Sequence, residues 1–218
     1  MFSGESEHII MNIVNDGDSA VGITEEVLEH ADKVISTLEL DRKSALHTRL
    51  IFEETVGMLR NMAGEYEADM WFEKDEESLS LKLTAKTRMD YEKKNELLSM
   101  ATDKKNKNVK GFMDKVSDII QNGILNYEYV LNLTQEYGGG CVNYGSLGMY
   151  CSTDALPQSG VMWSLSSYRD SLSDEAEEED GAKEAWDELE RSIVANIASD
   201  VLVGVKGNKF EMTIKCKL

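Results

Sequence analysis

Residues 49–66 read RLIFEETVGMLRNMAGEY, and the helix they predict decides the interpretation of this chain. Steps of four from Leu50 reach Glu54, Met58 and Met62, and residues four apart lie along one side of an α-helix. One carboxylate therefore stands in a stripe of leucine and methionine. Glu54 is a candidate functional residue for that reason, and the alternative is a carboxylate at the wet border of a buried face.

The segments around this helix predict its neighbours. An apolar run at 8–16 predicts an opening strand, and apolar spacing at 24–40 predicts a helix that begins at an N-cap threonine. After the quoted stretch, alternating apolar residues at 68–85 predict an antiparallel hairpin. Residues 186–201 predict another helix, and 199–217 predict a closing hairpin.

This order of elements predicts an α+β fold. We expect a two-layer sandwich in which helices cover one face of a mostly antiparallel, mixed sheet. Residues 1–218 are interpreted as a single domain with an insertion at about residues 101–185. The insertion includes the glycine-rich stretch YGGGCVNYGSLGMYCSTDALPQSG at 137–160, which is typical of a long loop.

Net charge limits the kinds of partner. Lys and Arg number 23 against 41 Asp and Glu, which gives −18. Such a charge repels phosphate backbones and anionic lipid, so we expect neither nucleic acid nor a membrane as a partner. Residues 174–190 hold ten of the acids, and a basic protein surface would complement them. The candidate partner-binding residues are Glu177, Glu178, Glu179 and Asp180, with a solvated loop as the alternative.

Cysteine usage and the absence of targeting signals predict a cytoplasmic protein. Cys141, Cys151 and Cys216 form no CxxC pair, which favours a reduced environment, with a Cys141–Cys151 disulfide as the alternative. The N-terminus lacks the basic segment of a secretory signal, and no apolar run reaches the roughly 20 residues that cross a bilayer. The three histidines lack metal-ligand spacing, so we expect no resident metal.

The predicted order of elements resembles the ATP-binding fold shared by gyrase, Hsp90, histidine kinases and MutL. The chain is most similar to the serine-kinase anti-sigma factors of that superfamily, over roughly residues 8–100 and 186–218. Their helix before the hairpin reads Glu-x-x-x-Asn, in which Glu handles a water molecule and Asn binds magnesium. In FEETVGMLRNMAG the resemblance places that glutamate at Glu54, as the remnant of a catalytic site.

Other motif positions of the family carry different residues in this chain. Met58 occupies the asparagine position, and a thioether does not hold magnesium, which selects oxygen ligands. The family's Asp-x-Gly-x-Gly motif corresponds to LKLTAKTRMD, which has no glycine and only Asp90 at its end. The family's glycine-rich turn corresponds to GAKEAWDELERSIV, in which Gly181 is surrounded by acids that repel a triphosphate.

The resemblance and these departures together predict a regulatory, protein-binding module of the anti-sigma or partner-switching type that has lost efficient ATP binding. Its partner would be a sigma factor or an anti-sigma antagonist, and the chain could also form a homodimer. The first alternative is an active ATP-dependent serine protein kinase, which alone would require ATP and magnesium. The second alternative is a sensory domain that binds another small molecule in the former nucleotide pocket.

Overall fold

The computed structural model describes most of the chain as one sheet with helices packed against it. The described residues are 4–14, 20–62, 65–87, 111–121, 123–124, 149–150, 161–175 and 180–218. The strands in them are β1 (Gly4–Glu5), β2 (Ile9–Val14), β3 (Glu65–Lys74), β4 (Ser78–Thr87), β5 (Met149–Tyr150), β6 (Val161–Ser164), β7 (Ala198–Lys206) and β8 (Lys209–Lys217). The helices are α1 (Ala20–Thr37), α2 (Arg42–Asn61), α3 (112–121), α4 (Leu165–Glu175), α5 (Asp180–Arg191) and α6 (Ile193–Ile197).

The strands follow the order β1-β3-β4-β8-β7-β6-β5, and β2 pairs with β3 beside β1. Every pairing among the described strands is antiparallel, so the α+β prediction is confirmed and the expected mixed sheet is corrected to an antiparallel one. The helix pair explains the direction of β3. Two antiparallel helices return the chain to the end of the sheet it left, so β3 runs opposite to β2.

One face of the sheet forms the hydrophobic core with the helices. Strand residues alternate between buried and more exposed, which is the two-residue period of a sheet with one covered face. The two predicted hairpins, at 68–85 and 199–217, are therefore confirmed as neighbours in one sheet. The inward side chains of the four central strands are Tyr66, Ala68, Met70, Phe72, Leu79, Leu81, Leu83, Ala85, Val201, Val203, Val205, Phe210, Met212 and Ile214.

A lysine at the end of β3 anchors the connection between α1 and α2. Lys74 Nζ donates hydrogen bonds to the carbonyl oxygens of Leu38, at 2.7 Å, and Glu39, at 3.4 Å. Cations stabilise a helix C-terminus because the last carbonyls there lack backbone partners. Glu39 takes a positive φ of 49°, and Asp41 then caps α2 through the amides of Lys43 and Ser44. The two helices predicted from the sequence are joined here by a short connection.

The two halves of the sheet repeat one order of elements. β2, the helices α1 and α2, and the hairpin β3–β4 form the first half. β6, the helices α4 to α6, and the hairpin β7–β8 form the second. The halves meet at the β4–β8 pair, so strand order is mirrored on either side of it. The two halves share this order of elements and not a residue pattern.

Two helix boundaries differ from the prediction. α1 begins at Ala20, four residues before the predicted N-cap at Thr24. The single helix predicted over 186–201 is interrupted by Ser192, whose hydroxyl accepts a hydrogen bond from the Ala195 amide and starts α6. Serine at such a position competes with the helical hydrogen-bond pattern and favours a new N-cap. β7 follows from Ala198, so the last turn of the predicted helix is strand.

The described part of the 101–185 region belongs to the same sheet and core. β6 pairs with β7, and β5 pairs with β6 at the sheet edge. The core includes Phe112, Val116, Ile120, Trp163, Leu165 and Leu172 from this region. The glycine-rich stretch at 137–160, with Cys141 and Cys151, lies outside the described residues except for β5.

Candidate functional site

The stripe that motivated Glu54 crosses from solvent into the core along α2. An α-helix turns about 100° per residue, so each step of four residues advances about 40° beyond a full turn. Leu50 is half-buried, Glu54 is exposed, and Met58 and Met62 are buried at 2% and 0% exposure. The interpretation of Glu54 as a carboxylate within an apolar stripe is corrected accordingly. Its side chain stands on the solvent side of α2.

Glu54 and Met58 therefore differ in burial, although they are one turn apart and only about 40° apart around the helix axis. Met58 packs in the core with Phe52 and Leu59, which are both fully buried. The α2 side chains that face the core are Thr48, Ile51, Phe52, Thr55, Val56, Met58 and Leu59. In the family that the chain resembles, the two motif side chains serve one pocket. Here the second position contributes to the hydrophobic core.

The outward line of α2 presents apolar side chains and a glycine. Leu46 is 57% exposed, Leu50 lies one turn further, and Gly57 and Asn61 continue the same side of the helix. A Cβ atom added at Gly57 would meet no heavy atom within 4 Å. Glycine in a helix interior costs about 1 kcal/mol relative to alanine. Packing against the described residues does not account for Gly57, and the space above it is open.

The charged residues of α2 are partly organised by α1. Arg49 binds Asp32 of α1, with 2.5 Å between Nε and Oδ1, and lies 3.7 Å from the Glu53 carboxylate. Arg60, in the last turn, has a buried Nε without a hydrogen-bond partner in the part of the chain that the structure describes. The guanidinium groups therefore line the side of α2 that carries Glu53, one or two turns from Gly57.

Of the four candidate partner-binding residues, one is among the residues that the structure describes. Asp180 is the first residue of α5. Glu177, Glu178 and Glu179 lie outside the described residues. Among the described residues, α4 ends at Glu175 and α5 begins at Asp180. Glu54 lies on α2 and Asp180 begins α5, so the two candidate sites are on different elements.

A polar cluster within the core region was missed by the sequence analysis. Lys115 of α3 forms an ion pair with Glu188 of α5 and lies 3.5 Å from the Tyr168 hydroxyl of α4. Burial lowers the pKa of Lys115 and is the largest single effect, but the hydrogen bonds and charges of Glu188 and Tyr168 together outweigh it, so the net direction is upward. The second Glu188 oxygen, Oε1, and Trp163 Nε1 are buried without hydrogen-bond partners among the described residues. No motif connects these four positions, since they come from four elements.

A second missed cluster stands on the open face of the sheet. His8 Nδ1 lies 2.8 Å from Asp69 Oδ2, and His8 Nε2 lies 2.7 Å from Glu5 Oε1. The imidazole stacks on Trp71, whose Nε1 donates to Glu73 at 3.2 Å. Hydrogen bonds with Asp69 and Glu5 raise the pKa of His8. With carboxylates at both ring nitrogens, His8 is an imidazolium that ties β1 to β3, and it has no free nitrogen for base catalysis.

Neither a metal site nor a membrane-spanning helix is found among the described residues. Within the described ranges, no group of three or more His, Cys, Asp or Glu side chains is arranged to hold a metal ion. None of the helices there has the length and apolar character needed to span a bilayer. No protein-family model, curated protein or solved structure matches the chain.

Proposed function

We propose that this chain is a regulatory, protein-binding module of the histidine-kinase-like ATPase type that has lost efficient ATP binding. It would act in the manner of an anti-sigma or partner-switching factor without a kinase step. Its partner would be a sigma factor or an anti-sigma antagonist.

The divergence of Glu54 and Met58 carries this proposal. A magnesium site needs oxygen ligands that converge on one point. The position that corresponds to the family's asparagine is a thioether at 2% exposure in the core, whereas Glu54 one turn earlier is in solvent. A pocket that used both positions would need α2 to rotate, and rotation would expose Phe52 and Leu59. Loss of the nucleotide site therefore explains the buried Met58 and the exposed Glu54 more simply than a rotated α2 does.

The outward line of α2 supports a protein-binding role. Leu46 is more than half exposed, and Gly57 leaves room for another backbone to approach the helix closely. An amphipathic helix of a partner can pack on such a line through its own apolar side chains. We assign the partner contact to the line of Leu46, Leu50, Gly57 and Asn61, with Glu53 at its border.

The nucleotide part of the proposal is tested by thermal unfolding with millimolar ATP and magnesium. A ligand that binds only the folded state stabilises it by RT ln(1 + [L]/Kd), so a protein without affinity shows no shift in Tm. We expect no magnesium-dependent rise. A rise that disappears in Glu54→Ala would instead establish the alternative, an ATP-dependent serine kinase. The exposure of Glu54 is the observation that favours this alternative, because a solvent-side carboxylate can orient a water molecule.

The protein-binding part is tested by calorimetry with the sigma factors and anti-sigma antagonists encoded in the same genome. We expect one of them to bind without nucleotide, with Kd of about 1 μM or tighter. Gly57→Leu should abolish binding, since its side chain fills the space above the helix. Lys33→Leu, at an exposed position of α1, is the matched control and should bind normally. Equal binding by both variants would remove α2 from the interface, and failure of every candidate partner would reject this partner class.

A further inference from the structure

The sheet face turned away from the helices concentrates lysines. Strands β4, β7 and β8 hold six lysines and two carboxylates, a local charge of +4 in a chain of −18. All six alternate with the buried residues and so point outward, and five of them are exposed. We call these residues the lysine face, namely Lys82, Lys86, Lys206, Lys209, Lys215 and Lys217.

Three of the lysines form one row across neighbouring strands. Lys86 is directly opposite Lys209, and Lys209 is directly opposite Lys206. Adjacent strands are about 4.8 Å apart, so the row is about 10 Å long. Like charges directly opposite each other in a sheet are destabilising. The pair of Lys86 and Lys209 therefore costs stability in the free protein, and a bound anion would remove that cost.

Strands β4, β7 and β8 carry two carboxylates, and the neighbouring strand β3 adds four on the same face, of which Glu73 pairs with Lys82 at 3.3 Å. Asp200 accepts hydrogen bonds from the Ser166 amide and hydroxyl, at 3.0 and 3.3 Å, and so caps α4. Glu211 lies between Thr84 and Gly204, in a different row. Glu67 is opposite Lys86 at the outer end of the lysine row. Within the described residues, no ion pair holds Lys86 or Lys209.

We propose that the lysine face docks an acidic segment of a partner protein. Charge complementarity identifies the occupant, and the length of the row limits its size to a few carboxylates. Outside these three strands the chain carries −22, because −18 includes their +4. A nucleic acid would extend past the row and meet that negative surface, whereas a short acidic segment keeps its charges on the face.

This partner has the opposite charge to the one expected for the acidic run before α5. The proposal does not depend on the nucleotide question or on the α2 interface. The lysine face is on the side of the sheet turned away from the helices, whereas α2 packs on the other side.

The probe is a fluorescein-labelled peptide of six glutamates, and its binding is measured by anisotropy at about 10 mM salt, where the Debye length is about 30 Å. Lys209→Glu reverses the charge at the centre of the row and should weaken binding at least about tenfold. Lys33→Glu makes the same charge change at an exposed position of α1 and should alter binding less than about twofold.

Thermal unfolding separates lost binding from lost folding. Lys209→Glu places a carboxylate between Lys86 and Lys206, so repulsion becomes attraction and Tm should rise. The expected result is a more stable protein that binds the peptide more weakly. If Lys209→Glu lowered both the affinity and Tm, that result would count against the proposal.

Four results would overturn the proposal. The first is absence of peptide binding by the wild-type protein at low salt. The second is equal weakening of binding by Lys33→Glu and Lys209→Glu, which would mean that only net charge matters. A six-nucleotide thymidine oligonucleotide that bound more tightly, and lost affinity in Lys209→Glu, would assign the face to nucleic acid. Light scattering that showed self-association of the wild-type protein, lost in Lys209→Glu, would assign it to a second copy of the chain.

Discussion

The imidazole ring of His8 lies nearly parallel to the indole ring of Trp71, with 4.7 Å between the centroids and 11° between the planes. His8 is also held by Asp69 and Glu5 through its two nitrogens. A protonated ring is the form that donates to both carboxylates, and it is attracted to the face of the indole as well. The edge strand β1 is joined to β3 by this cation, which stands beside the acids of the outer face.

His8 should make stability depend on pH. Hydrogen bonds with Asp69 and then Glu5 raise its folded-state pKa above the ordinary value of 6.5. The contribution of His8 is therefore fully present below about pH 6.5 and is lost as pH rises through the folded pKa. We expect the urea midpoint of the wild-type protein to exceed that of His8→Gln at about pH 6, and the gap to narrow by about pH 9. His47→Gln, on α2, is the control, and a gap that stayed constant with pH would contradict the imidazolium assignment.

Lys74 should stabilise the connection between α1 and α2. Lys74→Met keeps the apolar stem but removes the hydrogen bonds to the carbonyls of Leu38 and Glu39. We expect the free energy of unfolding to fall by about 1 kcal/mol, as measured by urea denaturation. Lys33→Met, at an exposed position on α1, should change it by less than about 0.5 kcal/mol. Equal effects would mean that the helix C-terminus gains nothing from the ammonium group.

Gly57 and Gly123 should respond to alanine with opposite signs. Nothing lies within 4 Å of a Cβ at Gly57, so Gly57→Ala should raise the free energy of unfolding by about 0.5–1 kcal/mol. A Cβ at Gly123 would lie 3.0 Å from Cγ2 of Val205, so Gly123→Ala should lower it by about 1–3 kcal/mol. Chemical denaturation of the two variants checks both values. Destabilisation by Gly57→Ala would show that the space above α2 is filled in the free protein.

Placing asparagine at position 58, the residue of the magnesium motif in the proposed family, should damage the fold without creating nucleotide binding. Met58→Asn removes a buried apolar side chain and buries an amide, so we expect a loss of about 2–4 kcal/mol in unfolding free energy. Met58→Leu conserves volume and should cost less than about 1.5 kcal/mol. Calorimetry should detect no magnesium-ATP binding by either variant. Gain of ATP affinity in Met58→Asn would mean that position 58 reaches a pocket and that the motif can be rebuilt.

The acidic run should affect the rate of partner association. Replacing Glu177, Glu178, Glu179 and Asp180 with the corresponding amides removes charges that complement a basic partner. Long-range attraction acts mainly on encounter, so the association rate constant should fall while the dissociation rate constant stays nearly unchanged. In the wild-type protein, association should slow as the Debye length shrinks from about 10 to about 3 Å. Stopped-flow measurements would contradict this if the amide variant associated at the wild-type rate in low salt.

The sheet and its hairpins were predictable because local patterns encode them. The alternation from Leu79 to Ala85, and that of β7 and β8 around a tight turn, reports one buried face directly. The break at Ser192 was not predicted, since apolar spacing continued through it and only the capping hydroxyl marks the new helix start. Tight turns set the direction of the β3–β4 and β7–β8 pairs, whereas helix connections set that of the β2–β3 and β6–β7 pairs.

The candidate site was harder to predict, because its features depend on angle and on distant partners. Counting every fourth residue ignores the rotation of about 40° between Glu54 and Met58. The full set of buried α2 residues defines the core-facing side. The pair of His8 and Asp69 spans 61 residues and has no local signature. The lysine row was not predicted, because it depends on the strand register that pairs Lys86 with Lys209.

The pair of β4 and β8 also determines the order in which the protein can be completed during its synthesis. Ala85 and Phe210 are opposite each other, yet roughly 120 residues separate them in the chain, which takes a ribosome about 6–24 s to translate. Throughout that interval β4 has one open backbone edge and a row of leucines awaiting their neighbour. The nine-residue strand β8 closes both, so the nascent chain depends on a strand made long after β4 for protection against pairing with other chains.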